Sequence, residues 1–598
     1  MKKVSDIVAE FLATNAQVAN DVFLVSGGGN MHLIDSVGRH EKLRYICNHH
    51  EQACAIAAEG YARVTNKIGV ALVTTGPGGT NAITGVYGAW VDSIPTLTIS
   101  GQVKFETTIA SQPELKLRQL GDQEINIVDL VKPITKYAVM VTDKNDILYH
   151  LEKAVYEAKN GRPGPVWIDI PLDIQGTKVD PNELKHFSPP KVPEYDLHID
   201  EVITLLKQAK RPVIIVGNGV RLASSVSTFH SLVDQLNIPV VTAISGVDLI
   251  ESSHHLFFGR PGILGERAAN FIIQNADLLL ILGSRLNLRI ISFNWEYFAR
   301  EATKIMVDID PNELSKKTIK PNLPILADLK PFIETLLKRI KYTHIPKYDE
   351  WLQYCKRIKK HYPIFDKHNL QDHFVSSYYF PILLSKYLPI PSTIVTGNGI
   401  AYTSTYQAYP IRKGDRLFAN VGCAAMGYDL PAAIGACVAY KKEVICITGD
   451  GSIQMNLQEM QTIIHNQLPI KIFMYNNNGY LSIRITQKNY FSGHFVGESA
   501  QSGISLPDMK KVAKVYGFKV YTIANNKEAE EKLPKILREK GPVFCEVLLD
   551  SNEEIGPKVA SYKKPDGTIV SKPLEDLSPF LPREEFLSNM IIEPIKDA

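Results

Sequence analysis

The pattern that most narrows the folds open to this chain is a repeated one: a short continuous apolar run, a turn rich in glycine or asparagine, then a stretch of helical character. It recurs at Asp21–Ser26, Val70–Thr74, Thr96–Ser100, Pro212–Val216, Leu278–Leu282, Ile305–Asp308, Val444–Thr448, Ile470–Tyr475 and Val543–Leu549. Runs without polar alternation belong to strands buried on both faces, as in a parallel sheet covered by helices on each side. The expected fold class is therefore α/β. A chain of 598 residues exceeds what one hydrophobic core holds, and polar or proline-rich breaks at Ser188–Tyr195 and Lys341–Glu350 divide it. The expectation is three doubly wound parallel-sheet domains, over 1–187, 196–342 and 365–550. An extension over 551–598 follows, either lying on another domain or partly mobile.

Composition excludes several partner classes. Lys and Arg total 66 against 63 Asp and Glu, so the net charge is only +3 and nothing asks for nucleic acid. The seven cysteines form no CxxC pair and fit neither a disulfide framework nor a zinc site, which points to a reducing compartment. Asp6 and Glu10 interrupt any signal-peptide core, and no run approaches the roughly 18 apolar residues of a membrane span. The expected location is cytoplasmic, with no membrane partner.

The chemistry concentrates where two of the apolar runs end. Val444–Thr448 leads into Gly449-Asp450-Gly451-Ser452, and Ile470–Tyr475 leads into Asn476-Asn477-Asn478-Gly479. A strand closing on such a turn places a carboxylate and free backbone amides at the carboxyl edge of a sheet, where α/β folds bind anions. Asp450 and Asn477 lie 27 residues apart, the length of one strand-helix-strand crossover, which brings both to the same edge. An Asp, an Asn and a backbone carbonyl are hard oxygen ligands, suited to Mg²⁺ carrying a diphosphate. The metal-ligand candidates are Asp450, Asn477 and the backbone at Gly479.

This GDGS-to-NN segment resembles the diphosphate-binding motif of thiamine diphosphate (ThDP) enzymes, and the likeness runs from the first residues to about position 550. The resemblance implies a pyrimidine-binding domain, a central domain and a diphosphate-binding domain. Asn48-His-His-Glu-Gln-Ala-Cys-Ala-Ile-Ala-Ala-Glu-Gly-Tyr-Ala-Arg63 is similar to the family segment that carries the activating glutamate, which makes Glu51 that residue. Val25-Ser-Gly-Gly-Gly29 looks like the turn at the thiazolium, with Gly27 and Gly28 as contacts and Gly28 placed with the reacting groups. Thr74-Thr-Gly-Pro-Gly-Gly-Thr-Asn81 resembles the family's TSGPGxTN turn and contributes Thr75 and Asn81. Thr396-Gly-Asn-Gly399 implies Asn398 and Gly399, and the Gly422–Gly435 loop implies Met426 as the residue that props the cofactor into a V shape. Gly449, Gly451, Ser452, Asn477, Gly479, Tyr480 and Leu481 complete the implied cofactor site.

Gly101-Gln-Val103 and Gln123 are similar to features of the acetolactate synthase-like branch, Gln123 matching a catalytic-pocket glutamine. That branch decarboxylates a 2-oxo acid, usually pyruvate, and adds the resulting carbanion to a carbonyl acceptor. Arg211–Gly219, Gly259–Gly262, Leu282–Leu286 and Asp308–Pro311 look like its central domain, in which some members hold FAD and others do not; FAD stays open here. The resemblance also implies a homodimer or homotetramer with active sites at the subunit boundary.

Three departures bear on the acceptor: Asp122 where the synthases carry an aromatic residue, an insertion-like stretch Phe105–Leu120, and Gly479-Tyr-Leu-Ser-Ile-Arg484 after the Asn pair. Tyr480, Ser482 and Arg484 either meet a larger polar acceptor or form a lid helix with Arg484 solvated. Two-carbon transfer to a nucleotide-linked keto-sugar and hydrolysis of a cyclic dione are the alternative activities.

Overall fold

The computed structural model describes residues 1–191, 194–366, 370, 373–563 and 568–595. The expected break at Ser188–Tyr195 therefore falls partly outside the described residues. Three large parallel sheets, flanked by helices, carry the chain. The first has six strands in the spatial order Arg44–Cys47, Val18–Leu24, Ile68–Val73, Thr96–Gln102, Val166–Pro171, Tyr137–Met140. The second has five: Val240–Thr242, Pro212–Val216, Leu278–Leu282, Thr303–Asp308, Leu323–Leu326. The third has six again: Arg416–Phe418, Thr393–Thr396, Val444–Gly449, Ile470–Asn476, Val543–Leu548, Lys519–Ile523.

Numbered in chain order within each sheet, the first and third follow the same succession, 2-1-3-4-6-5. In both, the chain moves outward from strand 1 to strand 2 and then returns to the other side of strand 1 with strand 3. That reversal opens a crevice beyond the carboxyl ends of strands 1 and 3, the place where open α/β sheets bind ligands.

The two like sheets are fused through helices. Glu51–Thr65 follows strand 2 of the first sheet, and His50 caps it by accepting the amide of Gln52 at 3.1 Å. Its alanine-rich face lies against the helix Asp429–Tyr440, which precedes strand 3 of the third sheet. The backbones approach so closely that a Cβ at Gly60 would sit 2.4 Å from the Ala432 carbonyl, and one at Gly435 1.9 Å from that of Ala57. Phe23, Ile56, Ile434 and Ile472 consequently belong to one continuous core that spans both domains.

The central sheet has its own core. The helix Asp349–His361 closes over it, Trp351 donating to the Pro212 carbonyl at 3.0 Å. The extension past residue 550 lies on this central domain: Asn270, Gln274 and Asn275 bond Leu574, Glu575 and Asn589 at 2.8, 2.6 and 3.0 Å. The seven cysteines are all free, and no helix among the described residues is long and apolar enough to cross a membrane.

Candidate active site

The candidate cofactor and metal residues lie in the segments that follow strands of the first or the third sheet. On the third, Asp450 follows strand 3, and its buried carboxylate accepts the amides of Gly451 and Gly479, each at 2.9 Å. Burial pushes its pKa up to about 6, against those amides and that of Asn477, which hold it down. Asn477 follows strand 4, equally buried, and its Oδ1 has no hydrogen-bond partner. A buried amide oxygen without a donor is costly and rare, so this atom faces a place where a further group belongs. A Cβ at Gly449 would meet nothing within 4 Å, which leaves open space beside the turn.

Around this turn the protein is tightly tied. The Ser452 hydroxyl donates to Asp429 at 2.7 Å and accepts the Gly427 amide at 3.0 Å, so its side chain is committed within the protein. The loop with Met426 is held by Asn398, which donates to the Ala425 carbonyl at 2.6 Å, next to Gly399. Tyr480 covers Gly451 so closely that a Cβ there would lie 2.0 Å from the ring. Leu481 is buried and opens the helix Leu481–Tyr490.

Arg484, on that helix, corrects both readings made from the sequence. It is neither solvated nor free for an acceptor: its side chain is 13% exposed and donates to Glu498 at 2.5 Å. Further bonds reach the carbonyls of Ser551 at 2.6 Å, Asn478 at 2.9 Å and Asn477 at 3.3 Å. The guanidinium fork is thus a clamp on the asparagine turn.

On the first sheet, Gly27 and Gly28 follow strand 1, Glu51 follows strand 2, and Thr75 follows strand 3. Gly27 is required by the protein itself, since a Cβ there would strike Thr74 at 2.5 Å, whereas a Cβ at Gly28 would meet nothing within 4 Å. Glu51 is buried at the first turn of its helix, and Asn81 donates to its Oε2 at 3.0 Å. Thr75 donates to the Gly101 carbonyl at 3.0 Å. Gln123 joins this group through its backbone, whose carbonyl crosses Gly76 at a distance only glycine tolerates. Its φ of 62° is left-handed, uncommon for a residue with a side chain. The neighbouring Glu124 closes the Phe105–Leu120 stretch, gathering the amides of Ile109, of Leu120 at 2.9 Å and of Gly121 at 3.2 Å.

The structure therefore assembles two half-sites. The hydrogen bonds of Glu51 stay within the first domain and those of Asp450 within the third, and no described bond joins the two residues. Asp92, Asn456 and Glu459 bond across these two domains and were not read from the sequence. Asp92 accepts the amides of Val421 and Gly422 at 3.1 and 3.0 Å and so holds the Met426 loop from the first domain. A cavity of about 150 Å³ opens at the carboxyl edge of the central sheet, lined there by Gly219, Asn287 and Asp308 and reaching Asp92, Val421 and Gly422 of the other two domains.

Two sheets of one strand order, with a third domain between them along the chain, are matched by three family models in the same order. These are the N-terminal TPP binding domain of thiamine pyrophosphate enzymes over residues 2–125, their central domain over 199–336 and their C-terminal TPP binding domain over 397–547. The chain belongs to the thiamine pyrophosphate enzyme family. More particularly, it is a ThDP-dependent enzyme of the acetolactate synthase type. It is 33% identical to the acetolactate synthase large subunit of Lactococcus lactis subsp. lactis over 92% of this chain and 93% of that protein. It is 31% identical to the acetolactate synthase isozyme 2 large subunit of Escherichia coli over 95% and 98%, and 32% identical to the large subunit of Porphyra purpurea over 91% of each.

Proposed function

We propose that this enzyme decarboxylates pyruvate and joins the two-carbon unit to a carbonyl acceptor, with Mg²⁺ holding the cofactor diphosphate. When bound, ThDP supplies an acidic thiazolium carbon and an electron sink that side chains lack. Glu51 would be the acid-base group for the cofactor's pyrimidine: Asn81 fixes one carboxylate oxygen, and the other would be left to exchange a proton with the ring. Asp450, the Asn477 side-chain oxygen and the Gly479 carbonyl hold the metal. The observation that carries this reading is the buried, unpartnered Oδ1 of Asn477 at the turn where the Asp450 carboxylate is buried. Three hard oxygens at one sheet edge suit Mg²⁺, which takes one or two protein carboxylates and leaves positions for phosphate and water.

Gly28 and Gly449 leave their Cβ positions open to the ligand, Met426 props the cofactor, and Gln123 lines the substrate side. Glu51 and Asp450 stand on different domains with no described bond between them, and a second copy of the chain is the proposed partner that completes each site. The central cavity takes a nucleotide; the unpartnered Oδ1 of Asn287 on its wall supports a polar ligand there. The visible absorption spectrum of the purified protein tells FAD from a colourless nucleotide. Transfer to a nucleotide-linked keto-sugar loses its main support, since every polar group of Arg484 is engaged within the protein.

The test is CO₂ release from pyruvate with ThDP and Mg²⁺, with products identified by mass spectrometry. Acetolactate is the expected product. CO₂ without acetolactate means another acceptor, and no CO₂ from a cofactor-loaded protein rejects pyruvate as the donor. Glu51→Gln is expected to bind ThDP and Mg²⁺ yet lose most turnover, and Asp450→Ala to lose cofactor binding.

A further inference from the structure

We propose that Glu459 is a positioning residue that aims Glu51 from the opposite domain; the inference rests on the reading of Glu51 as the cofactor-activating carboxylate. Glu459 opens the helix Glu459–His465, just beyond the Asp450 turn, and is fully buried. Three donors converge on its carboxylate. Asn48 Nδ2 reaches Oε2 at 2.7 Å, the His49 backbone amide reaches Oε1 at 2.9 Å, and the Thr462 hydroxyl reaches Oε2 at 2.7 Å. Asn48 and His49 form the turn that connects strand Arg44–Cys47 to the helix starting at Glu51.

A second bond reinforces the first. Asn456, three residues before Glu459, donates to Gln52 Oε1 at 2.9 Å and to the Gly427 carbonyl at 2.8 Å. The residues on both sides of Glu51 are thereby fixed by the segment that leads away from Asp450, in the same chain. Only an acceptor-only group satisfies three converging donors, which explains a carboxylate at this buried position rather than an amide. Charge-assisted bonds of this length are also the stronger kind. Because Glu459 touches neither Asp450 nor Glu51, its effect passes through the geometry of the 48–51 turn. Glu51 and the metal turn are thus linked mechanically inside one chain.

The test compares Glu459→Gln with Glu51→Gln by three measurements: backbone amide exchange of the cofactor-free protein, ThDP affinity with Mg²⁺, and deuterium exchange at the thiazolium C2 of bound cofactor. None needs a substrate. In Glu459→Gln, amides across 48–52 are expected to exchange at least about tenfold faster and C2 exchange to slow by about 10–100-fold, while ThDP affinity stays within about threefold. C2 exchange at the wild-type rate overturns the proposal, as does slowing that only follows lost binding. If Glu459→Gln does not fold, Asn48→Ala removes one bond from the other side and is read in the same way. Wild-type C2 exchange in Glu51→Gln would instead reject the reading of Glu51, a separate failure.

Discussion

Asp169 sits on the strand beside one edge of the first sheet, wholly buried, where Ser100 donates to it at 2.5 Å and Gln102 at 3.1 Å. Burial pushes its pKa up to about 7, against those two bonds. An acid whose folded value lies above its unfolded value binds its proton more tightly when folded. Its cost to stability is therefore absent below about pH 4, grows as the pH rises, and is complete above about pH 7. Asp169→Asn is expected to gain on the wild type in melting temperature between about pH 5 and about pH 7.5; a constant gap would show that Asp169 does not titrate there. Gln102 also donates to the Ile125 carbonyl at 3.0 Å, so this acid stands behind the loop that carries Gln123. Asp450 was legible because the apolar run Val444–Thr448 announces where its strand stops, whereas Glu51 follows a strand with no such run and was read from the family resemblance of its segment. Glu459 and Arg484 were not legible, since their partners lie 411 residues away or are backbone carbonyls that leave no mark on the sequence.

Elements show the same division. All nine apolar runs read from the sequence are interior strands, buried on both faces by helices. All six edge strands of the three large sheets escaped that reading. Arg44–Cys47 and Leu323–Leu326 explain why: the first exposes three of its four residues and the second alternates, so no continuous apolar run forms. Two interior strands were also missed: Val166–Pro171, interrupted by Asp169, and Thr393–Thr396, only four residues long. The contact between Glu51–Thr65 and Asp429–Tyr440 rests on small residues rather than on a strong periodic signal. Gly435→Ala would force the helices apart and is expected to cost about 1–3 kcal/mol in unfolding free energy. Calorimetry checks this, and an unchanged melting temperature would mean the helices yield without penalty.

At the scale of the whole molecule, the proposed sharing of each site between two copies of the chain carries a prediction of its own. If Glu51 of one copy serves Asp450 of another, mixing inactive Glu51→Gln chains with inactive Asp450→Ala chains restores one good site in each mixed dimer. Random exchange of subunits then recovers about a quarter of wild-type turnover. No recovery would place both residues of a site in one chain.

The extension over the central domain bears on how the protein is made. Asn270, Gln274 and Asn275 wait for partners between Leu574 and Asn589, which leave the ribosome long after them. At ~5–20 residues per second, the interval after the central sheet has emerged is roughly 10–50 s. Throughout that time the polar face of the helix Arg267–Gln274 stays uncovered, so the middle of this enzyme is finished after both of its neighbours.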